Sequence, residues 1–267
     1  MRTLLLSGVA LAALAAGGPA FAADMPIKAP PMAPAFNWSR CYGGIHAGYG
    51  WGKNTNSFGN AIESGPTEGE GLPAEAGPFN HNTNGGVVGG QVGCNYQFTS
   101  NWLVGIEGEL FWSGMKGSFT APEDEPGGPG NFSRFESRNL WDADLALRLG
   151  HVSGPFLLYG KVGVAVGGFR YTETHDDFPT LHAPACGGGL SPCSVSVNDT
   201  RAGALFGLGG EFALPAPNTH WTVKAEWDYI NYGTSNIPYP STTAGIQSFP
   251  VKDTKQIFKV GLNFYFP

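Results

Sequence analysis

The chain has 267 residues, of which 41 are glycine, 13% are aromatic and only 13% are charged, against about 25% charged residues in an average soluble domain. So few charges argue against a highly solvated surface, while abundant glycine disfavours helices and aromatic residues favour strands and membrane interfaces. The formal net charge of −6 comes without a polybasic arm, which argues against a nucleic-acid partner.

The N-terminus is typical of an exported protein. Arg2 precedes an apolar run over residues 4–16, and Ala20-Phe21-Ala22 is a small-x-small cleavage site. The run is shorter than the ~20 residues that a spanning helix needs, so residues 1–22 are predicted to be a cleaved signal peptide rather than an anchor. Residues 23–37 are rich in proline and alanine and are predicted to be an extended periplasmic linker. The fold would then occupy residues 38–267.

Eight segments follow in which apolar residues recur at every second position, the period of a strand with one apolar face. They cover residues 41–51, 86–98, 102–112, 139–151, 156–172, 200–214, 221–231 and 253–266. Short connections at 99–101, 152–155 and 215–218 alternate with long ones at 54–84, 115–137, 173–198 and 233–252. This alternation predicts an all-β protein, an eight-stranded antiparallel up-and-down transmembrane β-barrel of the outer membrane, with both termini periplasmic.

Aromatic residues mark both ends of the predicted strands, as expected for two membrane interfaces. The set at the ends joined by short turns is Phe98, Trp102, Phe156, Phe212, Trp221 and Phe266, and the set at the opposite ends is Trp51, Trp112, Phe169, Tyr171 and Tyr229.

Charged residues fall on the face opposite the apolar one. An outward Lys or Arg would cost ~2–4 kcal/mol at the bilayer midplane, so these residues are predicted to face the lumen and form ion pairs there. The predicted network is Glu107, Glu109, Asp142, Asp144, Arg148, Lys161, Glu211, Lys224, Glu226, Asp228 and Lys259. Arg148 is expected to neutralise acids such as Asp142, Asp144 and Glu107. Because eight strands enclose an interior that side chains fill, a wide porin channel is not expected.

Two patterns could indicate catalysis, and both have a plainer explanation. The acids at i and i+2, Glu107 with Glu109 and Glu226 with Asp228, project the same way, but lysines share their lumen and ion pairing explains them. His151 and Ser153 resemble the His/Ser pair of lipid A-modifying barrels, yet they lie at a short, periplasmic turn, whereas lipid A is in the outer leaflet. The chain is therefore predicted not to be an enzyme.

Four cysteines in an exported chain indicate disulfides. A Cys186–Cys193 bridge would close a small loop, and a Cys41–Cys94 bridge would join the first two strands if their register brings the residues opposite each other. His175 and His182 lie near Cys186 and Cys193, but the spacing fits no compact zinc pattern. We therefore predict no metal site and no cofactor.

The segments CYGGIHAGYGW, VGIEGEL, LALRLGHV, FLLYGKVGVAVGG, FGLGGEFAL, VKAEWDYINYG and FKVGLNFYF, in this order and spacing, resemble the small alphaproteobacterial outer-membrane immunogenic or porin-like surface proteins, a branch of the OmpA-like eight-strand barrels. The resemblance implies an integral outer-membrane barrel; some members are linked to haem binding or host contact, which here would fall to the extracellular loops without a supporting motif. The chain departs from the family by ending in Pro267 rather than in the aromatic residue itself.

The expected function is structural: membrane integrity and display of extracellular loops. The alternatives are a narrow-pore, porin-like transport protein and a lipid A-modifying enzyme. Expected partners are outer-membrane lipids and lipopolysaccharide, the barrel-assembly machinery, and peptidoglycan or a host surface.

Overall fold

A computed structural model describes residues 36–56, 79–122, 132–175, 193–216, 219–240 and 246–267. Within these ranges the chain forms nine β-strands: β1 (Cys41–Asn56), β2 (Phe79–Gln97), β3 (Trp102–Ser113), β4 (Lys116–Pro122), β5 (Phe132–Ser153), β6 (Phe156–His175), β7 (Cys193–Ala213), β8 (Trp221–Pro240) and β9 (Ile246–Tyr265). Helices that are long and apolar enough to cross a membrane are absent from the described ranges. The predicted signal peptide lies outside them, as does the linker up to residue 35.

The strands form a closed antiparallel ring. Apart from β3 and β4, strands that follow each other in the chain pair with each other, and β1 closes the ring by pairing with β9 from Tyr42 opposite Tyr265 to Asn56 opposite Val251. β3 and β4 together make one strand of the ring, because both pair with β2 on one side and with β5 on the other. The described residues therefore form the predicted eight-stranded up-and-down barrel.

The two faces of the ring differ as the period of two requires. Apolar side chains project outward and are widely exposed, such as Ile45 at 67% and Leu147 at 65%, whereas inward lysines such as Lys259 are fully buried. These outward side chains form an apolar band around the barrel. A surface of this kind suits the hydrocarbon of a bilayer rather than water.

Short connections join the strands at one end of the barrel, here called the turn end. β5 and β6 are joined there by a turn in which Gly154 has φ of 59°, a left-handed conformation that glycine adopts without strain. We call the opposite end the loop end. Its strands continue past the apolar band as a loop-end extension, made of residues 52–56, 79–84, 116–122, 132–140, 169–175, 193–201, 232–240 and 246–254.

The extension corrects the predicted loop boundaries. Residues 193–198 and 233–240 were expected in loops but belong to β7 and β8, and β4 lies wholly inside the predicted connection 115–137. Backbone pairing continues there while the outward side chains become polar. The criterion of an outward apolar face therefore ends each strand too early.

The aromatic set that was predicted at the ends opposite the short turns also needs a correction. Phe169 and Tyr171 were expected at a membrane interface, but both are buried inside the barrel at 5% and 3% exposure. Val162 and Val164 on the same strand point outward, so the odd-numbered residues of β6 must point inward.

Candidate functional site

The lumen is the part of the structure in which polar side chains converge. All eleven residues of the predicted network are buried on the inner face of the ring. They come from six strands, β3, β5, β6, β7, β8 and β9. Nine of them, all except Asp142 and Asp144, form two groups, which Glu107 links.

The first group is centred on three lysines. Lys161 Nζ lies 2.8 Å from Glu226 Oε1 and 3.3 Å from Asp228 Oδ2. Lys259 Nζ lies 2.6 Å from the same Asp228 oxygen and also contacts Glu109. Lys224 Nζ lies 2.7 Å from Glu109 Oε1. Charged groups this deeply buried are tolerated only when they are paired and hydrogen-bonded.

The second group surrounds Arg148. Its guanidinium lies 3.2 Å from Glu107 Oε2 and 3.3 Å from Glu211 Oε2, and its Cζ is 3.7 Å from the centroid of the Tyr159 ring. Tyr42 also contacts Arg148 and donates a hydrogen bond of 2.7 Å to Glu107. Arg148 is therefore held by two carboxylates and by cation–π contact.

The expected pairing of Arg148 with Asp142 and Asp144 differs from the observed contacts. Asp142 instead contacts Lys255 and accepts a hydrogen bond of 2.5 Å from the Tyr232 hydroxyl. Neither carboxylate oxygen of Asp144 has a hydrogen-bond partner among the described residues.

Three acids of the network have the spacing of metal ligands. Glu107, Glu109 and Glu226 each place an oxygen within 4.8 Å of the other two. Lys161 and Lys224 each contact all three acids. These ammonium groups neutralise the carboxylates, so the arrangement is that of an ion-pair network rather than of a metal site.

The charged groups leave little free space between them. A Cβ on the inward-facing Gly207 would come within 2.8 Å of the Lys161 side chain and even closer to the Asp228 carboxylate. A side chain at this position would therefore have to displace the Lys161 and Asp228 side chains from their present positions.

Aromatic side chains close the lumen at the turn end. Trp38 and Tyr265 are fully buried there, with ring centroids 5.7 Å apart at 89°. Phe36, at the end of the predicted linker, packs on both rings, with centroids 4.7 Å from Trp38 and 5.1 Å from Tyr265.

A larger apolar cluster fills the lumen toward the loop end. Its members are Val87, Phe111, Phe135, Ala146, Ala165, Phe169, Tyr171, Leu205, Ile230, Tyr232, Ile237, Val251 and Ile257. Beside it, Asp253 accepts hydrogen bonds from Arg201 at 2.6 Å, Tyr171 at 2.7 Å and Asn54 at 2.7 Å. The lumen thus has an aromatic layer, an ionic layer and an apolar layer.

Two groups in the loop-end extension have shifted acid–base properties. Burial and the Asp253 carboxylate raise the pKa of Tyr171, which keeps this hydroxyl a hydrogen-bond donor. Burial lowers the pKa of His81, and its Nε2 lies 2.6 Å from Ser137 Oγ.

The predicted Cys41–Cys94 disulfide is present, because the two residues are directly opposite in the pairing of β1 with β2. The Cys186–Cys193 prediction is not tested, because residue 186 lies outside the described residues. His182 lies outside them too. His151 is exposed at the turn end, where its ring packs edge-on against Trp102.

Several lumen residues could have been found from the sequence. Tyr159 lies two positions before Lys161, and Lys255 four positions before Lys259, so each shares the inward face of its strand. Tyr42 carries no charge, and its role depends on partners from β3 and β5, which alternation within one strand does not reveal.

Comparison with known proteins agrees with this architecture. A family profile described as "Outer membrane protein beta-barrel domain" matches residues 4–266. The chain belongs to this family. It is a β-barrel protein of the outer membrane, and the membrane's lipids contact its apolar band.

Its curated relatives are named for the same location. A 31 kDa outer-membrane immunogenic protein of Brucella melitensis is 30% identical over 242 residues, which cover 87% of this chain and 90% of the relative. A 25 kDa outer-membrane immunogenic protein of the same organism is 26% identical over the full length of both chains.

Solved structures give weaker matches. Ail of Yersinia pestis has a TM-score of 0.33 at 13% identity, covering 84% of this chain and 99% of that one. Neisserial surface protein A has a TM-score of 0.29 at 12% identity, covering 84% and 97%. These scores are too low to add to the family assignment.

Proposed function

We propose that this barrel is a structural and surface-display protein of the outer membrane, and that solutes do not flow through it. The filled lumen is the observation that carries the proposal. Lys161, Lys224 and Lys259 occupy its middle with their acids, and aromatic and apolar layers lie on either side. A barrel of eight strands has room for such side chains but not for a wide aqueous channel.

The orientation follows from the connections. Outer-membrane barrels have short periplasmic turns and longer extracellular loops, so the turn end faces the periplasm and the loop end faces the outside. The loop-end extension then carries the four long connections away from the membrane. The relatives are named as immunogenic proteins, which suits a family whose loops are displayed on the cell surface.

A non-enzymatic role also agrees with the placement of the candidate groups. Glu107, Glu109 and Glu226 are all neutralised by lysines, and His151 lies at the turn end, away from the outer leaflet. The expected partners remain outer-membrane lipids and lipopolysaccharide, the barrel-assembly machinery, and peptidoglycan or a host surface, the last reached by the loops.

Conductance of the refolded protein in planar bilayers tests the structural role. The unmodified protein should show no steady single-channel steps. A Lys161→Ala/Lys259→Ala variant, which empties part of the ionic layer, should conduct more than the unmodified protein. Lys252→Ala, at an exposed position of β9, serves as the matched control and should not conduct.

One observation favours the alternative of a narrow pore. The buried inner face between the aromatic layer and the extension carries seven carboxylates but five cations, which are Arg148, Lys161, Lys224, Lys255 and Lys259, and Asp144 lacks hydrogen-bond partners among the described residues. Excess acid could line a cation path. Steady cation-selective steps from the unmodified protein, lost in Asp144→Asn, would establish this alternative and overturn the structural role.

A further inference from the structure

Three cations lie side by side on the outer surface of the loop-end extension. Lys116 of β4 is opposite Arg138 of β5, and Arg138 is opposite Arg170 of β6. All three side chains are exposed. Neighbouring strands are about 4.8 Å apart, so the three charges lie in a row about 10 Å long. We call these three residues the basic row.

Local contacts compensate only part of this charge. Arg138 forms an ion pair with Glu136, and Arg170 Nε donates a hydrogen bond of 2.9 Å to Asn198 Oδ1. Within the ranges that the structure describes, one acid therefore accompanies three cations, in a chain whose net charge is −6. Like charges directly opposite one another destabilise a sheet, so an anionic ligand would stabilise this arrangement.

The basic row lies immediately beyond the apolar band. Trp112 and Trp141 are paired across β3 and β5, and Trp141 is paired with Gly168 of β6. Arg170 is two residues beyond Gly168, and Arg138 is separated from Trp141 by the β-bulge between Asn139 and Trp141. Tryptophan marks the level of lipid headgroups, so the basic row is at headgroup height on the lipid-facing side of the barrel.

Other outward cations of the extension are not arranged in this way. Lys53 is paired with Asn82 and Thr254, and Lys252 is paired with Thr55 and Thr234. Arg134 is opposite Thr120 and Thr174. Each of these cations has polar, uncharged cross-strand neighbours, so the three together provide a matched control of equal charge.

We propose that the basic row binds phosphate groups of an outer-leaflet glycolipid, the lipid A portion of lipopolysaccharide. The two guanidinium groups offer paired N–H donors that fit phosphate oxygens, and the lysine adds a point charge. The acyl chains of the same lipid would lie along the apolar band below. The assignment to the outer leaflet rests on the orientation proposed above, but it does not depend on whether the lumen conducts.

Native mass spectrometry of the refolded protein in detergent tests the proposal. The protein is titrated with diphosphoryl lipid A and, separately, with dephosphorylated lipid A. We expect the phosphorylated lipid to bind at least about tenfold more tightly, a difference of about 1.4 kcal/mol. Lys116→Gln/Arg138→Gln/Arg170→Gln should lose this preference, whereas Lys53→Gln/Arg134→Gln/Lys252→Gln should keep it.

Three results would overturn the proposal: equal binding of both lipids by the unmodified protein, equal loss in the two triple variants, or full displacement of the lipid by inorganic phosphate at the same concentration. Binding in detergent does not depend on the orientation of the barrel or on its conductance. A negative result here would therefore overturn the lipid site without affecting the proposed function, which the bilayer experiment tests. If the triple variant does not refold, two measurements still test the proposal. One is the loss of lipid preference in Arg170→Gln alone, and the other is the comparison of the two lipids on the unmodified protein.

Discussion

The outward face of the strands changes from apolar in the apolar band to polar in the loop-end extension, and the inward face gains large apolar residues there. Within the band, inward residues such as Lys161 and Glu226 are charged and outward residues such as Leu147 are apolar. In the extension, the inward Ile237 is fully buried and apolar, whereas the outward Arg170 is charged and exposed. The change occurs along continuous strands.

The difference teaches that the medium around a strand, rather than the strand, decides which face is polar. A charge facing hydrocarbon costs ~2–4 kcal/mol at the midplane and about 0–1 near the interfaces, so charges in the band are confined to the lumen. Beyond the band the outside is water, so outward charges are tolerated there, and the interior holds apolar residues such as Ile237 beside the buried Arg201–Asp253 ion pair. The two regions should therefore respond differently to substitutions of the same kind.

The largest effect is expected for Arg148→Leu in the lumen. The substitution leaves Glu107 and Glu211 without their guanidinium, and breaking a buried pair costs roughly 3–5 kcal/mol. The urea midpoint of the refolded barrel should fall. Arg138→Leu is the matched control, because its ion pair with Glu136 is exposed and such pairs contribute about 0–1 kcal/mol. Equal midpoints for the two variants would show that the ionic layer does not hold the barrel together.

How much of this pairing the sequence reveals depends on the distance between partners. Alternation within one strand placed Lys161, Glu226 and Lys259 on the inner face. The alternating connections brought Cys41 and Cys94 to the same end of neighbouring strands, but the register that sets them opposite each other comes from the structure. The partners of Arg148 come from β3 and β7, and that choice depends on the stagger of the whole ring. Most of the extension was missed because outward polar residues such as Arg138 interrupt the apolar pattern that defined each strand.

The extension should respond most to loss of its inner apolar packing. Ile237→Ala removes a fully buried side chain, a change that costs about 2–5 kcal/mol in a well-packed core. We expect faster proteolysis within the extension. The rest of the barrel should stay folded, so that the unboiled protein still migrates faster than the boiled protein in detergent gels. Ile45→Ala, in the apolar band and 67% exposed, leaves no cavity and should not change the proteolysis rate. Loss of the gel shift in Ile237→Ala would show that the two regions unfold as one unit.

The smallest expected effect is a pH dependence confined to the extension. Burial lowers the pKa of His81, although the Asp253 carboxylate partly opposes this, so His81 is neutral in the folded extension. An unfolded histidine takes up a proton below about pH 6.5. The contribution of His81 to stability is therefore complete above that pH and declines as the pH falls toward the lowered pKa.

Hydrogen exchange of the β4 amides measures this effect, because the contact between His81 and Ser137 joins the two strands that flank β4. After correction for intrinsic rates, exchange should be faster at pH 5.5 than at pH 7.5. His81→Gln retains a donor for Ser137 but cannot ionise, so its exchange should not depend on pH in this range. His220→Gln, near the turn end, should behave as the unmodified protein does. If exchange is still faster at low pH in His81→Gln, the pH dependence belongs to another group. The difference in acid response between the extension and the rest of the barrel would then not be due to His81.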